Sequence, residues 1–181
     1  MPLLDRDRCR LLVVDIQEKL LPAMDAQESF VRNAAIVLQA ARTLGVPSLI
    51  SEQYPQGLGS TIAPITSLAP DVPRLSKTTF SCALEPRMRE WFDLNASGQI
   101  VLIGLEAHVC VLQTAMDLQR DGFEVFVVAD AVSSRRATSV QTALSRLAAA
   151  SVSIVTTEMV VFEWMRTAAS PHFKALSKLI R

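Results

Sequence analysis

Gln99-Ile-Val-Leu-Ile-Gly-Leu-Glu-Ala-His-Val-Cys-Val-Leu-Gln-Thr-Ala-Met-Asp-Leu-Gln-Arg-Asp-Gly-Phe-Glu-Val-Phe-Val-Val128 is the stretch that decides the fold. An apolar run, Gln99–Ile103, stops at Gly104. A helical pattern from Val111 to Arg120 follows and closes at Asp121-Gly122. A second apolar run, Glu124–Val128, ends at Ala129-Asp130. Strand, helix and strand in so short a span form a βαβ unit. Both runs are apolar at successive positions, so both faces of each strand need cover, which is the mark of a parallel sheet between helical layers.

The same alternation extends in both directions. Upstream, Leu11–Val14 is a buried-strand candidate ending at Asp15. Phe30–Leu44 places Val31, Ala34, Ala35, Leu38 and Ala41 at helical spacing and stops at Gly45, a C-cap candidate. Val46–Ile50 reads as the second strand, followed by a loop from Glu52 to Ser60 rich in turn residues. Arg74–Ser76 leads into Lys77, and Pro86 starts a helix reaching Leu94. Downstream come a helix over Thr138–Ala150, a short strand at Ser153–Val155 and a helical tail. With right-handed crossovers this predicts an α/β fold: a three-layer α/β/α sandwich on a mainly parallel, doubly wound, Rossmann-like sheet, one domain over residues 1–181.

Composition narrows the function. The chain has 181 residues, half of them hydrophobic, which suits one well-buried domain rather than a disordered segment. Lys+Arg and Asp+Glu are both 18, so the basic surplus that neutralises nucleic-acid phosphates is missing, and the expectation is no nucleic acid. No run reaches the roughly 18–20 apolar residues of a membrane span, so no membrane is expected either. The charged start of the chain lacks the apolar stretch of a signal peptide. Cys9, Cys82 and Cys110 are too few and too far apart for a disulfide framework or a cysteine zinc site. The expected location is cytoplasmic.

In doubly wound sheets, ligands bind beyond the carboxyl ends of the strands. That rule selects Asp15, Glu52, Lys77, the Gly104–Cys110 loop and Asp130. Cys110 stands before a predicted helix, whose dipole and free N–H groups favour a thiolate and could receive an oxyanion; the alternative is a buried structural cysteine. Asp15 ends an apolar strand, where a carboxylate needs a partner or a capping role. Lys77 gains meaning only beside Asp15 or Cys110. His108, two residues from Cys110, is a residue of the pocket entrance or a base for the thiol. Neither Gly-x-Gly-x-x-Gly nor Gly-x-x-x-x-Gly-Lys-[Ser/Thr] occurs, so dinucleotide and P-loop readings fall away.

Three segments carry a family resemblance: Leu12-Val-Val-Asp15-Ile-Gln17, Leu75-Ser-Lys77-x-x-Phe80-Ser81 and Gly104-Leu-Glu-Ala-His-Val-Cys110-Val111. With Glu52-Gln-Tyr-Pro-x-Gly-Leu-Gly-x-Thr61, they resemble the isochorismatase-like cysteine hydrolases, nearest the small isochorismatase-domain hydrolases of unassigned substrate. The resemblance implies a triad of Asp15, Lys77 and Cys110, with Asp15 moving protons, Lys77 holding charge and Cys110 attacking a carbonyl-type carbon. It also implies a cis Leu105–Glu106 peptide and an oxyanion hole from the N–H groups of Glu106 and Cys110. Gln17, Glu52, Gln53, Tyr54, Phe80 and His108 become candidate pocket residues. The histidine-rich metal cluster of the family's nicotinamidases has no counterpart after the second strand, so the implied enzyme has no metal and no cofactor.

The implied function is hydrolysis of a small amide or related C–N bond. The competing reading is a non-catalytic binding or oligomerisation module. Phe162, Trp164 and Met165 in the tail, together with zero net charge and the family's habit, lead to the expectation of a homo-oligomer in which a helix offers those side chains to a partner.

Overall fold

The computed structural model describes residues 2–93 and 98–180. In chain order its elements are β1 (Cys9–Val14), α1 (Gln27–Leu44), β2 (Ser48–Gln53), the single-turn helices α2 (Pro55–Leu58) and α3 (Ala63–Thr66), β3 (Arg74–Lys77) and α4 (Pro86–Asp93). Then come β4 (Gln99–Leu105), a π-helical turn (Ala107–Val111) running directly into α5 (Leu112–Arg120), β5 (Glu124–Ser133), α6 (Ala137–Ala149), β6 (Ser153–Val155), α7 (Thr157–Met165) and α8 (Phe173–Leu179). The six strands form one sheet in the order β3-β2-β1-β4-β5-β6, and every pair in it is parallel. This is the expected α/β doubly wound sandwich, with its switch point between β1 and β4. Leu94, the last residue of the helix expected from Pro86, lies outside the described residues.

Strand periodicity sorts the apolar side chains into two cores. Leu11 and Val13 of β1, Val101, Ile103 and Leu105 of β4, and Phe126 and Val128 of β5 join one cluster with α1, α7 and α8. Their neighbours Leu12, Val14, Ile100, Leu102, Val125 and Val127 join the other, with α4, α5 and α6. At ~25 cal/mol per Å2, each such buried aliphatic side chain contributes about 1.5–3 kcal/mol, so the central strands anchor both layers. Helix α1 turns one face inward through Phe30, Ala34, Val37, Leu38 and Ala41, and ends at Gly45, whose φ of 75° suits glycine.

Three elements depart from the sequence expectation. Strand β2 runs on to Gln53 rather than stopping at Ile50, because Glu52 and Gln53 pair with Ser76 and Lys77 of β3. Strand β5 runs past Asp130 to Ser133, with a register shift against β4 between Leu102 and Gly104. Asp130 is therefore not a strand-end ligand. Its Oδ1 accepts the N–H of Thr157 at 2.8 Å and the Thr157 hydroxyl at 3.0 Å, tying β5 to the start of α7. In α7, Trp164 and Met165 are buried with Val160 and Val161 in the first core, so they cover the sheet rather than face a partner; Phe162 alone of the expected trio stays partly exposed.

Gly104 shapes the switch point. Its φ is 126°, and a β-carbon there would collide with the backbone of Val14 on β1. Only glycine lets β4 lie this close to the end of β1, where Asp15 begins.

Candidate active site

The three residues expected to form a triad arrive from three strand ends around that switch point. Asp15 follows β1, Lys77 closes β3, and Cys110 sits in the π-helical turn after β4. Asp15 is fully buried with a left-handed φ of 51°. Its Oδ2 accepts from Lys77 Nζ at 2.8 Å, and its Oδ1 accepts from the Ser51 hydroxyl at 2.7 Å. The Cys110 thiol faces the same carboxylate closely enough to feel its charge and that of Lys77. Lys77 also donates to Gln53 Oε1 at 2.6 Å and meets the carbonyls of Thr79 and Phe80, each at 3.2 Å, so four acceptors surround its three protons.

Pairing decides the protonation of this cluster. Burial alone would push the Lys77 ammonium down, but the charge of Asp15 and the thiols of Cys82 and Cys110 hold it above its ordinary value. The lysine is a fixed cation. Burial, and after it the Asp15 carboxylate, push the Cys110 thiol up to about 12 despite the opposing pull of Lys77. This corrects the expectation of a thiolate favoured by a helix start. Cys110 lies inside the turn and near an anion, so the proton rests on sulfur.

Burial also raises Cys9 and Cys82, each to about 11. An unfolded chain releases such thiol protons near 9.0, whereas the folded chain keeps them to about 11 or higher. The folded state binds more protons in that window, so stability falls as pH rises through it. Urea midpoints measured on either side of the window should drop on the alkaline side; midpoints that stay level would contradict these buried thiols.

The remaining candidates divide into neighbours of the cluster and residues that shape its loops. On β2 the alternation puts Ser51 and Gln53 toward Asp15 and Lys77, and Glu52 on the opposite face. There Glu52 Oε1 accepts the N–H of Thr61 at 2.8 Å and its hydroxyl at 2.7 Å, so its role is to lock a loop. Gln17, buried, clamps the same region by donating to the carbonyls of Gln53 and Gly59 and accepting the Gln53 N–H. Tyr54 and Phe80 are exposed at the same end of the sheet. His108 Nδ1 pairs with the Ser134 hydroxyl at 2.9 Å, which engages it at the end of β5.

The Leu105–Glu106 peptide is cis, as the resemblance implied. The Glu106 carbonyl accepts from the N–H groups of Val109 and Val111, and Cys110 lies between these two in the opening turn, where helix geometry leaves N–H groups without an intrahelical acceptor. Arg135 clasps the Glu106 carboxylate through Nε at 2.8 Å and Nη2 at 3.1 Å. Sequence reasoning missed Ser51, Cys82, Ser134 and Arg135. Ser51 was legible in principle, two residues before Gln53 on one strand face, but only with β2 extended to its real end.

A scan against family models matches residues 9–159 to the isochorismatase domain. The chain is 41% identical over 170 residues to isochorismatase domain-containing protein 2 of Danio rerio, spanning 94% of this chain and 85% of that protein. Among solved structures, the protein described as the MAR1 ribonuclease of Caenorhabditis elegans superposes with a TM-score of 0.93 at 33% identity, covering 99% of this chain and 92% of that one. The YcaC gene product of Escherichia coli, described as an octameric hydrolase of unknown specificity, superposes at 0.92 with 22% identity over 98% and 88% of the chains, a likeness of fold. On the domain match and the 41% identity, the chain belongs to the isochorismatase-domain family.

Proposed function

We propose that this isochorismatase-family hydrolase cleaves a small amide or related C–N bond through a covalent intermediate on Cys110, without a metal. The observation that carries the reading is the Asp15 carboxylate, held between the Lys77 ammonium and the Cys110 thiol in a buried cluster at the sheet's switch point. In the first half-reaction the Cys110 proton passes to Asp15 as sulfur attacks the carbonyl carbon. The N–H groups of Glu106 and Cys110 receive the oxyanion. Asp15 then hands the proton to the departing amine, leaving a thioester. In the second half, water gives a proton to Asp15 and attacks the thioester; the released sulfur takes that proton back. Lys77 stays protonated throughout and steadies whichever of its neighbours bears the negative charge.

The metal-free part of the reading is supported by where the donors point. Glu52 is committed to Thr61, and Gln53 to Lys77 and to the Thr78 carbonyl. Turnover should survive dialysis against EDTA and should not rise on adding zinc, manganese or iron. Loss on chelation that one of those ions restores would overturn this part. The three free, buried cysteines suit a reducing cytoplasm. No helix among the described residues is long and apolar enough to cross a membrane. A homo-oligomer remains part of the proposal, now resting on the exposed Leu3, Met159 and Phe162 rather than on Trp164 or Met165. A monomer-sized light-scattering peak at micromolar protein would remove it.

The experiment is an ammonia-release screen of the full chain against small amides and ureides, with an RNA substrate as a further arm because of the description its nematode relative bears. RNA cleavage is not the expected outcome, since Lys77 is buried and already saturated by acceptors. Hydrolysis of RNA and of no amide would overturn the amide reading, and a chain inactive on every arm would favour the binding module.

A further inference from the structure

We infer that Ser51 is a positioning residue for Asp15, its two hydrogen bonds fixing the carboxylate that faces Cys110. The inference rests on the proposed role of Asp15 as proton carrier.

Ser51 holds Asp15 twice. Its backbone carbonyl accepts the Asp15 N–H at 3.1 Å, and its hydroxyl donates to Asp15 Oδ1 at 2.7 Å; both residues are fully buried. The first bond fixes the backbone of a residue that sits in the left-handed region, and the second fixes the rotation of its carboxylate. A hydroxyl carries one proton, and here it goes to Asp15. The wholly buried Cys82 lies beside Ser51. The Cys82 backbone N–H donates to Thr114 Oγ1 at 2.9 Å, and Thr114 lies one helical turn beyond Cys110 on the same face. Cys82 is thus fastened to the helix that carries the nucleophile.

The titratable groups facing Asp15 are Lys77 from β3, Cys110 from the π-helical turn and Cys82 from the turn Cys82–Leu84. With Oδ2 bound to Lys77 and Oδ1 to Ser51, the carboxylate cannot swing away as it gains and loses the proton. Cys82 stays a thiol because burial raises it to about 11, so it is no second nucleophile.

The test compares Ser51→Ala, Ser51→Thr, Cys82→Ala, Cys82→Ser and Asp15→Asn with the unaltered chain. The probe is ammonia release from acetamide, propionamide, benzamide and N-methylurea, with thermal melts to gauge folding. Ser51→Ala should lose about tenfold to a hundredfold in kcat, the scale of a misplaced catalytic group, with KM little changed. Ser51→Thr, which keeps the hydroxyl, should restore kcat. Cys82→Ala and Cys82→Ser leave that hydroxyl in place and should keep kcat near that of the unaltered chain. If Asp15→Asn is inactive but Ser51→Ala keeps full kcat, or loses it with no recovery in Ser51→Thr, this inference falls and the proposed function stands. An unaltered chain that releases ammonia from none of the four, or an Asp15→Asn variant as active as the original, overturns both.

Discussion

Cys110→Ala is expected to reduce turnover by about four orders of magnitude or more, as removal of a covalent nucleophile does, while the thermal midpoint barely moves. The sulfur is one atom at the edge of a core already closed by Val111, Leu112 and Ala115, so its loss opens little space. Asp15→Asn should be nearly as damaging, since the amide keeps the shape but cannot take the thiol proton. The two variants separate in a second measurement. In the intact chain the Asp15 carboxylate raises Cys110. Asp15→Asn removes that charge and leaves the Lys77 cation in place, so Cys110 should ionise at lower pH and take up iodoacetamide faster at neutral pH. Turnover falling while the thiol becomes more reactive is the signature of a base that does more than hold sulfur in place. Either variant keeping more than about a tenth of the rate, a barrier change below ~1.4 kcal/mol, would mean that the roles are misassigned.

This reverses an inference that the sequence invites. A cysteine ahead of a helix suggests a resting thiolate that labels quickly near neutrality. The structure places Cys110 against a carboxylate brought from another strand end, and that contact is invisible in the chain's order. Local sequence records the helix but not the anion lying across the switch point.

The legible part of the fold has the same physical origin as the illegible part. The apolar runs at Leu11–Val14 and Gln99–Ile103 name the central strands because burial on both faces leaves no polar alternative. Glu52 and Gln53 hid the end of β2, since polar residues at the carboxyl end of a strand read as loop until their pairing partners on β3 are known. Asp130 misled for the matching reason: a polar residue inside β5 looks like a terminus when the register shift that accommodates it is unseen. Asp15, Lys77 and Cys110 could be proposed together because each closes or follows a strand. Their convergence depends on the strand order β3-β2-β1-β4, which sets β1 beside β4 and β3 two strands away. The Ser134 and Arg135 contacts to His108 and Glu106 depend on the extended end of β5, and no short motif signals them.

Lys77→Met should be the most destabilising change at the site. The Lys77 and Asp15 side chains are both completely shielded from solvent, and their ions meet at 2.8 Å. Methionine fills much of the space of the lysine stem, so lost packing is a minor cost. The larger cost is the buried carboxylate left with the Ser51 hydroxyl as its remaining side-chain donor. Breaking one partner from a buried pair costs about 3–5 kcal/mol. For a chain of this size that is roughly a 10 °C fall in thermal midpoint. A further measurement ties the loss to charge rather than shape. Asp15→Asn combined with Lys77→Met should be more stable than Lys77→Met alone, since two neutral side chains carry no such penalty. A Lys77→Met variant that melts with the unaltered chain, or a double variant that merely adds the two single losses, would show that the pair is not coupled. Lys77 would then have to be placed elsewhere in the mechanism than as the counter-ion of Asp15.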